Sequence, residues 1–259
     1  MHPLSFVKYQ GTGNDFVMID DRGENFDLDD LAMVRQLCDR RFGVGADGLI
    51  LIRLHPDHDF EMIYYNADGS QSMCGNGSRC AVMFARDLGI IGDQTHFLAI
   101  DGPHEAFVQE GLVHLRMGDV AGVEERGQDL FINTGSPHHI CFRGSVKESN
   151  VKQDGAAIRY SEAYANNGGT NVNFVELQED NRVYVRTYER GVEDETLSCG
   201  TGVTAASLAA SLQDYKSPVQ VETLGGKLSV SFETTPAGGF ANIYLIGPAK
   251  RVFEGQIQP

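Results

Sequence analysis

The sequence carries the pattern Cys-Gly-x-Gly twice, each time where a strand-like segment gives way to a helix-like one. The first copy lies in MCGNGSRC (residues 73–80) and the second in SCGTGVTA (residues 198–205). FEMIYYN precedes the first copy and RVYVRTY the second, and both show the two-residue alternation of strands. Helix formers follow in RCAVMFARDLG, with Gly89 as a C-terminal stop, and in VTAASLAASL. Two copies in matching contexts predict two halves of one design.

Each helix-like segment is followed by further strand-like segments. HFLAI, HEAFVQ and LVHLRM follow the first, and VQVET, KLSVSF and NIYLI the second. Upstream, GTGNDFVMI and NTGSPHHICF both place a Thr-Gly turn before an apolar strand. Many short strands and few helices predict an α+β fold of two pseudo-symmetric domains. We place them at residues 1–118 and 119–249, with residues 250–259 completing the first.

Charge and hydropathy narrow the class of function. The 259 residues carry a formal net charge of −15, which repels nucleic-acid phosphates and anionic membranes. The sequence shows neither a signal peptide nor an apolar run long enough to span a membrane. We therefore expect a cytoplasmic protein that binds neither nucleic acid nor membrane.

The cysteines do not form a disulfide framework or a recognisable metal motif. Their odd number and irregular spacing argue against disulfides. The sequence has no C-x-x-C and no paired His or Cys at zinc-ligand spacing, so no metal site is expected. In a reducing compartment all of them are thiols. Cys38, Cys80 and Cys141 are expected to fill space in the core or on the surface, without a functional role. The five cysteines are Cys38, Cys74, Cys80, Cys141 and Cys199.

One further glycine pattern does not meet its structural requirement. GVGADG (residues 43–48) matches the dinucleotide-binding pattern G-x-G-x-x-G, which needs a strand before it and a helix after it. The strand-like LILIR follows instead, so a glycine-rich turn is the better interpretation.

Cys74 and Cys199 each stand at a predicted helix start. Unpaired N–H groups and the helix dipole favour negative charge there, which makes a thiolate available and suits capture of a carboxylate. A small residue filling a turn would explain one copy, but the duplication favours function. Removing a proton from one face of a carbon and returning it to the other needs two acid/base groups. If the two turns face each other, they indicate a racemase or epimerase without cofactor.

At these residues the sequence resembles the diaminopimelate epimerase family. The family's blocks stand as KYQGTGNDFVMID, YYNADGSQSMCGNGSRC and TYERGVEDETLSCGTG, in the family's order. The resemblance implies two similar domains, each a curved, mostly antiparallel, barrel-like sheet around a central helix, with the active site in the cleft between them. It implies interconversion of LL- and meso-2,6-diaminoheptanedioate in lysine and peptidoglycan precursor synthesis, without pyridoxal phosphate or metal. It also suggests a homodimer.

The resemblance assigns roles residue by residue. Cys74 and Cys199 match the acid and base, and His138 matches a histidine that helps tune the site. Glu189 and Arg190 match a pair that binds and orients the substrate, with the arginine suited to the distal carboxylate. Without the resemblance, all but the cysteines would be weak candidates. The remaining substrate-binding positions are Asn14, Asn66, Gly75, Asn76, Asn171, Gly200 and Thr201.

The chain departs from the family pattern at three places. Ser136 stands where many relatives have Asn, so that contact is either absent or made by a shorter hydroxyl. Gly48 stands where many have Gln, so that side-chain contact is absent. The turn in ERGVEDET is one residue longer than the common form. None of these departures removes the catalytic pair.

Two rival functions stay open on the sequence. A racemase or epimerase of the same superfamily, acting on proline or hydroxyproline, would share the paired cysteines, but a small ring would not need Arg190 and the amides. A thiol redox or binding protein would need neighbouring thiols only, and would not require two carboxylate-binding helix starts. Substrate assays separate all three.

Overall fold

The structure is a computed structural model that describes residues 3–166 and 168–258. Residues 1, 2, 167 and 259 of the predicted domain ranges lie outside the described residues. Contacts divide the chain into unit 1, Met1–Leu115 with Gly247–Pro259, and unit 2, Arg116–Ile246. The domain ranges given above stay a prediction about independent folding.

Unit 1 contains one sheet, in the strand order β17-β1-β2-β3-β4-β5-β6-β7, and two helices. Helix α1 follows β2 and helix α2 follows β4. The elements are β1 Leu4–Gly11, β2 Asn14–Asp20, α1 Leu31–Cys38, β3 Gly48–Arg53, β4 Phe60–Asn66, α2 Gly75–Asp87, β5 Gln94–Ala99, β6 Gly102–Gln109, β7 Leu112–Arg116 and β17 Lys250–Ile257.

Unit 2 contains the strand order β8-β9-β10-β11-β12-β14-β15-β16, with the short β13 also paired to β12. Helix α3 follows β10, and α4 follows β13. The elements are β8 Glu124–Arg126, β9 Asp129–Asn133, β10 Pro137–Phe142, α3 Val151–Arg159, β11 Asn171–Gln178, β12 Arg182–Glu189, β13 Asp194–Thr196, α4 Gly200–Ser211, β14 Val219–Thr223, β15 Gly226–Thr234 and β16 Phe240–Gly247.

The two units repeat one strand pattern. From β1 to β6, successive pairs run antiparallel, parallel, antiparallel, parallel and antiparallel. From β9 through β10, β11, β12 and β14 to β15, the same sequence of senses recurs. In both units a helix bridges each parallel pair, as a parallel crossover requires. The predicted α+β class and the duplicated design are confirmed.

The helix after each Cys-Gly-x-Gly copy is the central helix of its unit. Helix α2 packs against β1, β2, β3 and β4, and α4 packs against β9–β12, β14 and β15. In α4 all residues from Gly202 to Ala210 are buried, which explains a sequence that is small and apolar on every side. Burial of each helix within its sheet confirms the curved sheet around a central helix that the resemblance implied for each domain.

The ends of helix α2 agree with the prediction from sequence. The helix begins at Gly75, directly after the N-cap Cys74, and Gly89 follows its C-cap Leu88 with a positive φ of 70°. A left-handed residue just past the last turn suits glycine, which has no Cβ to clash. Among the described residues, the helices are all too short or too polar to cross a membrane.

Candidate active site

Cys74 caps helix α2 with its own side chain. The residue is extended, with φ −136° and ψ 111°, and its Sγ accepts a hydrogen bond from the Gly77 N–H at 3.4 Å. The amides of Gly75 and Asn76 belong to the first turn, where no intrahelical acceptor exists. A thiol placed there gains negative character, because the helix dipole and the amide favour a thiolate.

Two amide side chains join the start of β2 to the start of α2. Asn76 donates from Nδ2 to Oδ1 of Asn14 at 2.5 Å, and Asn14 donates in turn to Asp47 Oδ2 at 3.0 Å. Asn76 is buried, while Asn14 is half-buried. In unit 1 the structure therefore brings Asn14 against Asn76, two residues after Cys74 in the chain.

Asn66 ends strand β4 and organises the turn that leads to Cys74. Its Oδ1 accepts from the Tyr64 hydroxyl at 2.8 Å, and its Nδ2 donates to Ser70 Oγ at 3.0 Å and Ser72 Oγ at 3.2 Å. These bonds satisfy the amide within the turn. A substrate contact at Asn66 would share this amide with the two serines.

Arg79 is a functional candidate that sequence reasoning missed. It lies within α2 and is fully buried, and its Nη2 bonds Thr12 Oγ1 at 2.7 Å and Asn76 Oδ1 at 2.9 Å. Its Nε has no hydrogen-bond partner among the described residues. Burial lowers the pKa of Arg79 to about 10, which leaves the guanidinium charged at neutral pH. No local sequence signal marks Arg79, because α2 also carries a second arginine, Arg86, and large side chains such as Phe84.

Cys199 occupies the matching place before helix α4. It is the N-cap residue, extended with φ −111° and ψ 115°, but it makes no capping bond with its side chain. Its Sγ lies 3.4 Å from the Thr201 hydroxyl instead. Gly200 and Thr201 form the first turn of α4, as Gly75 and Asn76 do in α2.

His138 is a fully buried, neutral imidazole next to helix α4. Asn173 donates from Nδ2 to His138 Nδ1 at 3.1 Å, and its own Oδ1 accepts from Thr187. The ring proton is therefore on Nε2, which has no protein partner among the described residues. Burial, together with the charge of Arg190, lowers the pKa of His138 to about 3. Asn173 is a further residue that the sequence analysis missed.

A glycine keeps this cluster against the helix. A Cβ on Gly202 would lie 2.4 Å from Asn173 Oδ1 and 3.3 Å from His138 Cε1. Side chains do not approach so closely, so only glycine admits both groups to the first turn of α4. The second glycine of the Cys-Gly-x-Gly copy thus has a packing reason in this unit.

Glu189 ends strand β12, and its carboxyl group is half-buried. Burial raises its pKa, and a hydrogen bond from the Thr196 hydroxyl at 2.8 Å partly opposes that effect. Thr196 lies on β13, which pairs with β12. A carboxyl with a raised pKa can hold or release a proton at the site.

The segment ERGVEDET is not one continuous turn, and this prediction was wrong. Residues Asp194–Thr196 form β13, and only residues 190–193 reverse the chain. Glu193 anchors this reversal with a positive φ of 57° and a carboxylate that accepts from the Gly191 N–H at 3.0 Å and the Tyr160 hydroxyl at 2.7 Å. This anchor lets the remaining residues pair as a strand.

Asn171 links the Thr-Gly turn of unit 2 to Arg190. Its Nδ2 donates to Ser136 Oγ at 2.9 Å, and its Oδ1 accepts from the Arg190 N–H at 2.9 Å. Ser136, a departure from the family pattern, thus uses its hydroxyl to accept a hydrogen bond from Asn171. The Arg190 side chain itself is exposed. Within unit 2 the structure brings together Ser136, Asn171 and Arg190.

Comparison with known proteins identifies a family whose members match this chain over most of its length. A family model described as diaminopimelate epimerase matches residues 6–120 and 130–252. The diaminopimelate epimerase of Flavobacterium psychrophilum is 49% identical over 258 residues, covering 98% of this chain and 100% of the relative. That of Aquifex aeolicus is 41% identical over 277 residues, covering 98% of both.

Solved structures with the same fold are more distant in sequence. A phenazine biosynthesis protein of the PhzF family from Bacillus anthracis has a TM-score of 0.78 at 13% identity and covers 100% of both chains. A probable proline racemase from Agrobacterium radiobacter has a TM-score of 0.66 at 16% identity, covering 98% of this chain and 93% of its own. At such identities the likeness concerns the fold alone.

Proposed function

This chain belongs to the diaminopimelate epimerase family, and from that membership we propose that it interconverts LL- and meso-2,6-diaminoheptanedioate. The observation that carries the proposal is the pair of cysteines that cap the central helix of each unit, Cys74 and Cys199. In the cell the reaction would serve lysine and peptidoglycan precursor synthesis. We also propose a cytoplasmic, homodimeric enzyme that binds no nucleic acid.

The chemistry is proton exchange at the α-carbon by two thiols. One cysteine, as a thiolate, removes the α-proton from one face, and the other, as a thiol, delivers a proton to the opposite face. The C–H electron pair stays on carbon between the two steps, so no redox partner is needed. After each turnover the two sulfurs have exchanged protonation states, and the reverse reaction begins from the product.

The carbanion forms next to a carboxylate, and this charge must be stabilised. The first-turn amides of α2 and α4, at Gly75, Asn76, Gly200 and Thr201, are donors suited to that carboxylate. Donors held in place by helices require little reorganisation as the charge develops. In this proposal the protein stabilises the transition state through these amides.

His138 and Glu189 adjust the site in unit 2. Neutral His138 offers an N–H from Nε2 without adding a positive charge. Burial raises the pKa of Glu189, so its carboxyl holds a proton more readily than an exposed one. We assign to both the task of holding the ammonium and carboxylate groups of the reacting centre in position.

The far end of the substrate carries a second amino-acid group, which needs polar recognition. We assign the distal carboxylate to the exposed guanidinium of Arg190, whose planar fork matches a carboxylate. Asn14, Asn66 and Asn171 supply amide contacts to the same molecule. A small ring such as proline offers nothing to these groups, which favours diaminoheptanedioate over a proline substrate.

The proposal is tested by isotope exchange. The purified protein is incubated with LL-2,6-diaminoheptanedioate in deuterated water, and α-deuterium and the meso isomer are followed by NMR and chiral chromatography. We expect both to form in the wild-type protein and in the matched control Cys38→Ser, whose thiol is buried in the core of unit 1. Exchange with proline or hydroxyproline, and none with diaminoheptanedioate, would overturn the substrate.

A further inference from the structure

Three side chains of different chemistry converge on one face of the β9–β10 pair. The ligand atoms of Asp129, His139 and Cys141 all lie within 4.8 Å of one another. His139 and Cys141 are two residues apart on β10 and so share a face. The antiparallel register pairs Ile140 with Leu130, and its next step brings Asp129 opposite Cys141. The paired strands therefore fix all three groups at one place.

Neighbouring side chains orient two of these groups. His139 Nδ1 lies 2.7 Å from the Tyr164 hydroxyl, and His139 Nε2 lies 3.1 Å from Asp129 Oδ2. Asp129 Oδ1 accepts from Arg143 Nη1 at 3.4 Å. An imidazole whose Nδ1 is bound to a hydroxyl presents Nε2 in a fixed direction, as in protein metal sites.

We propose that Asp129, His139 and Cys141 form a binding site for a zinc-like divalent cation, with water as the fourth ligand. A carboxylate, an imidazole and a thiolate together are the ligands that zinc prefers. In a tetrahedral zinc site, neighbouring ligand atoms are about 3.2–3.7 Å apart, given bonds of about 2.0–2.3 Å. The separation of 3.1 Å between His139 Nε2 and Asp129 Oδ2 already lies close to this range.

The site is separate from the proposed reaction. His138 precedes His139 on β10, and successive residues of a strand point to opposite faces. His138 faces Asn173 and the first turn of α4, whereas His139 faces Tyr164 and Asp129. The proposal stands on the β9–β10 geometry and does not depend on the epimerase activity.

Cation binding must displace a proton and an arginine. Burial, with Asp129 nearby, raises the pKa of the Cys141 thiol to about 12, so the metal-free residue is a thiol. Coordination forms the sulfur–metal bond and releases that proton to water. The Arg143 side chain is 44% exposed, so its guanidinium can turn to solvent when the cation takes its place.

Sequence analysis does not predict this site, since its ligands do not follow a zinc motif. His139 and Cys141 are neighbours only because a strand alternates its faces, and Asp129 joins them only through the β9–β10 register. No C-x-x-C or H-x-x-x-H spacing arises from such an arrangement.

Cobalt provides the direct test, because its thiolate complexes absorb light. The full-length double variant Cys74→Ser, Cys199→Ser removes the two thiols at the helix starts and keeps Cys141. Cobalt is titrated into this chelator-treated protein. We expect thiolate-to-cobalt absorption in the near ultraviolet, visible bands of a tetrahedral ion, saturation at one cobalt per chain, and loss of both signals on adding zinc.

Substitutions in the same background assign the ligands. Cys141→Ser should remove the near-ultraviolet absorption, and His139→Asn should weaken cobalt binding by about 100-fold or more. Tyr164→Phe should weaken it by about 10-fold, the usual loss when a supporting residue of a metal site is removed. Arg143→Met removes the competing charge and should tighten binding several-fold, while Cys38→Ser, the matched control, should leave it unchanged.

The outcomes that overturn the proposal are equally definite. Thiolate absorption that survives in Cys141→Ser would place the cation on another thiol. An absence of absorption at saturating cobalt, or weaker binding in Arg143→Met, would also overturn it. Should Cys141→Ser fail to fold, the half-buried Asp129→Asn gives the same decision, because it must weaken cobalt binding if the carboxylate is a ligand.

Discussion

The guanidinium of Arg79 in helix α2 donates a hydrogen bond to the Thr12 hydroxyl at 2.7 Å, which joins the central helix of unit 1 to the turn before β2. Its other side-chain acceptor, Asn76, is also uncharged. The two thiols that affect its pKa are Cys80 and Cys74. A buried cation whose hydrogen-bond acceptors are the uncharged Thr12, Asn76 and Gly75 carbonyl stabilises any negative charge that forms near it.

We expect Arg79 to favour the thiolate of Cys74. In a Cys199→Ser background, Arg79→Gln should move the pH profile of Cys74 alkylation by iodoacetamide upward by about one pH unit, as for loss of a unit charge about one helical turn away. Arg79→Lys keeps a charge and should shift it less. Rates measured from pH 5 to 10, with peptide mass spectrometry to identify the alkylated residue, provide the test.

Thr12→Val distinguishes the effect of the Arg79 charge on Cys74 from the effect of the Arg79–Thr12 hydrogen bond on stability. It removes the hydroxyl acceptor and leaves the charge, so stability should fall by about 1 kcal/mol while the alkylation profile keeps its midpoint. An unchanged profile in a folded Arg79→Gln protein would contradict the electrostatic role.

Removal of the thiol at either helix start should abolish net epimerisation. Cys74→Ala and Cys199→Ala each leave one face of the α-carbon without a proton carrier, and a positioned acid or base contributes about 10²–10⁴-fold to a rate. The measurement is conversion in both directions by chiral chromatography. Substantial two-way conversion by Cys74→Ala would contradict the two-base mechanism.

Arg190 should recognise the distal carboxylate of the substrate by the geometry of its guanidinium as well as by its charge. Arg190→Lys should lower kcat/KM almost as much as Arg190→Ala, because an ammonium cannot replace a bidentate fork. We expect a loss of about 1.5–3 kcal/mol, the usual contribution of a charge-assisted bond. Arg182→Lys, at the other end of β12 and exposed beside Asp180, is the matched control. Equal kcat/KM in all the variants would place Arg190 away from the substrate.

Gly202 should tolerate no side chain. In Gly202→Ala the new Cβ meets Asn173 Oδ1 at 2.4 Å, so the amide that orients His138 must move. We expect a loss of about 1–3 kcal/mol in stability, the usual cost of overpacking, and a lower kcat. Gly118→Ala, where no atom lies within 4 Å of the Cβ, is the control and should fold normally. Urea denaturation compares the two.

Acid should weaken unit 1 through Asp15. Burial alone would raise the pKa of this carboxyl, but hydrogen bonds from Arg40 and Lys8 outweigh it and lower the pKa to about 2. Because the folded pKa lies below the unfolded value of about 3.9, the ionised group stabilises the fold above about pH 4. This stability, on the order of 1–2 kcal/mol, is lost as the pH falls toward 2. Asp15→Asn should show a shallower decline in urea denaturation between pH 5 and 2.5.

The elements that the sequence predicted are those with a strong local signal. The alternating pattern of β12 predicts a strand, and the small, mostly apolar residues of α4 predict a buried helix. Gly89 marks the end of α2. Helices α1 and α3 were not identified, because eight and nine residues give only two turns of periodicity. Their N-caps, Asp30 and Asn150, were the available signals.

The part of the site that escaped prediction depends on contacts between distant residues. Asn173 acts through His138, which lies on the neighbouring strand in a parallel pairing. Arg79 acts through Thr12, which precedes a different strand. Neither residue has a local pattern that separates it from an ordinary polar residue. The cysteines were found because a duplicated motif needs no tertiary information.

Because of strand β17, the two units can complete their folding at different times during synthesis. It pairs with β1, with Ile257 opposite Leu4, so the sheet of unit 1 cannot be completed until β17 has left the ribosome. Unit 2 is contiguous from Arg116 to Ile246 and can therefore finish folding first. Until then β1 is an open edge, and an open edge invites pairing with other chains. A nascent chain stalled before Lys250 is thus the form of this protein most exposed to aggregation, and the form on which a chaperone would have the longest time to act.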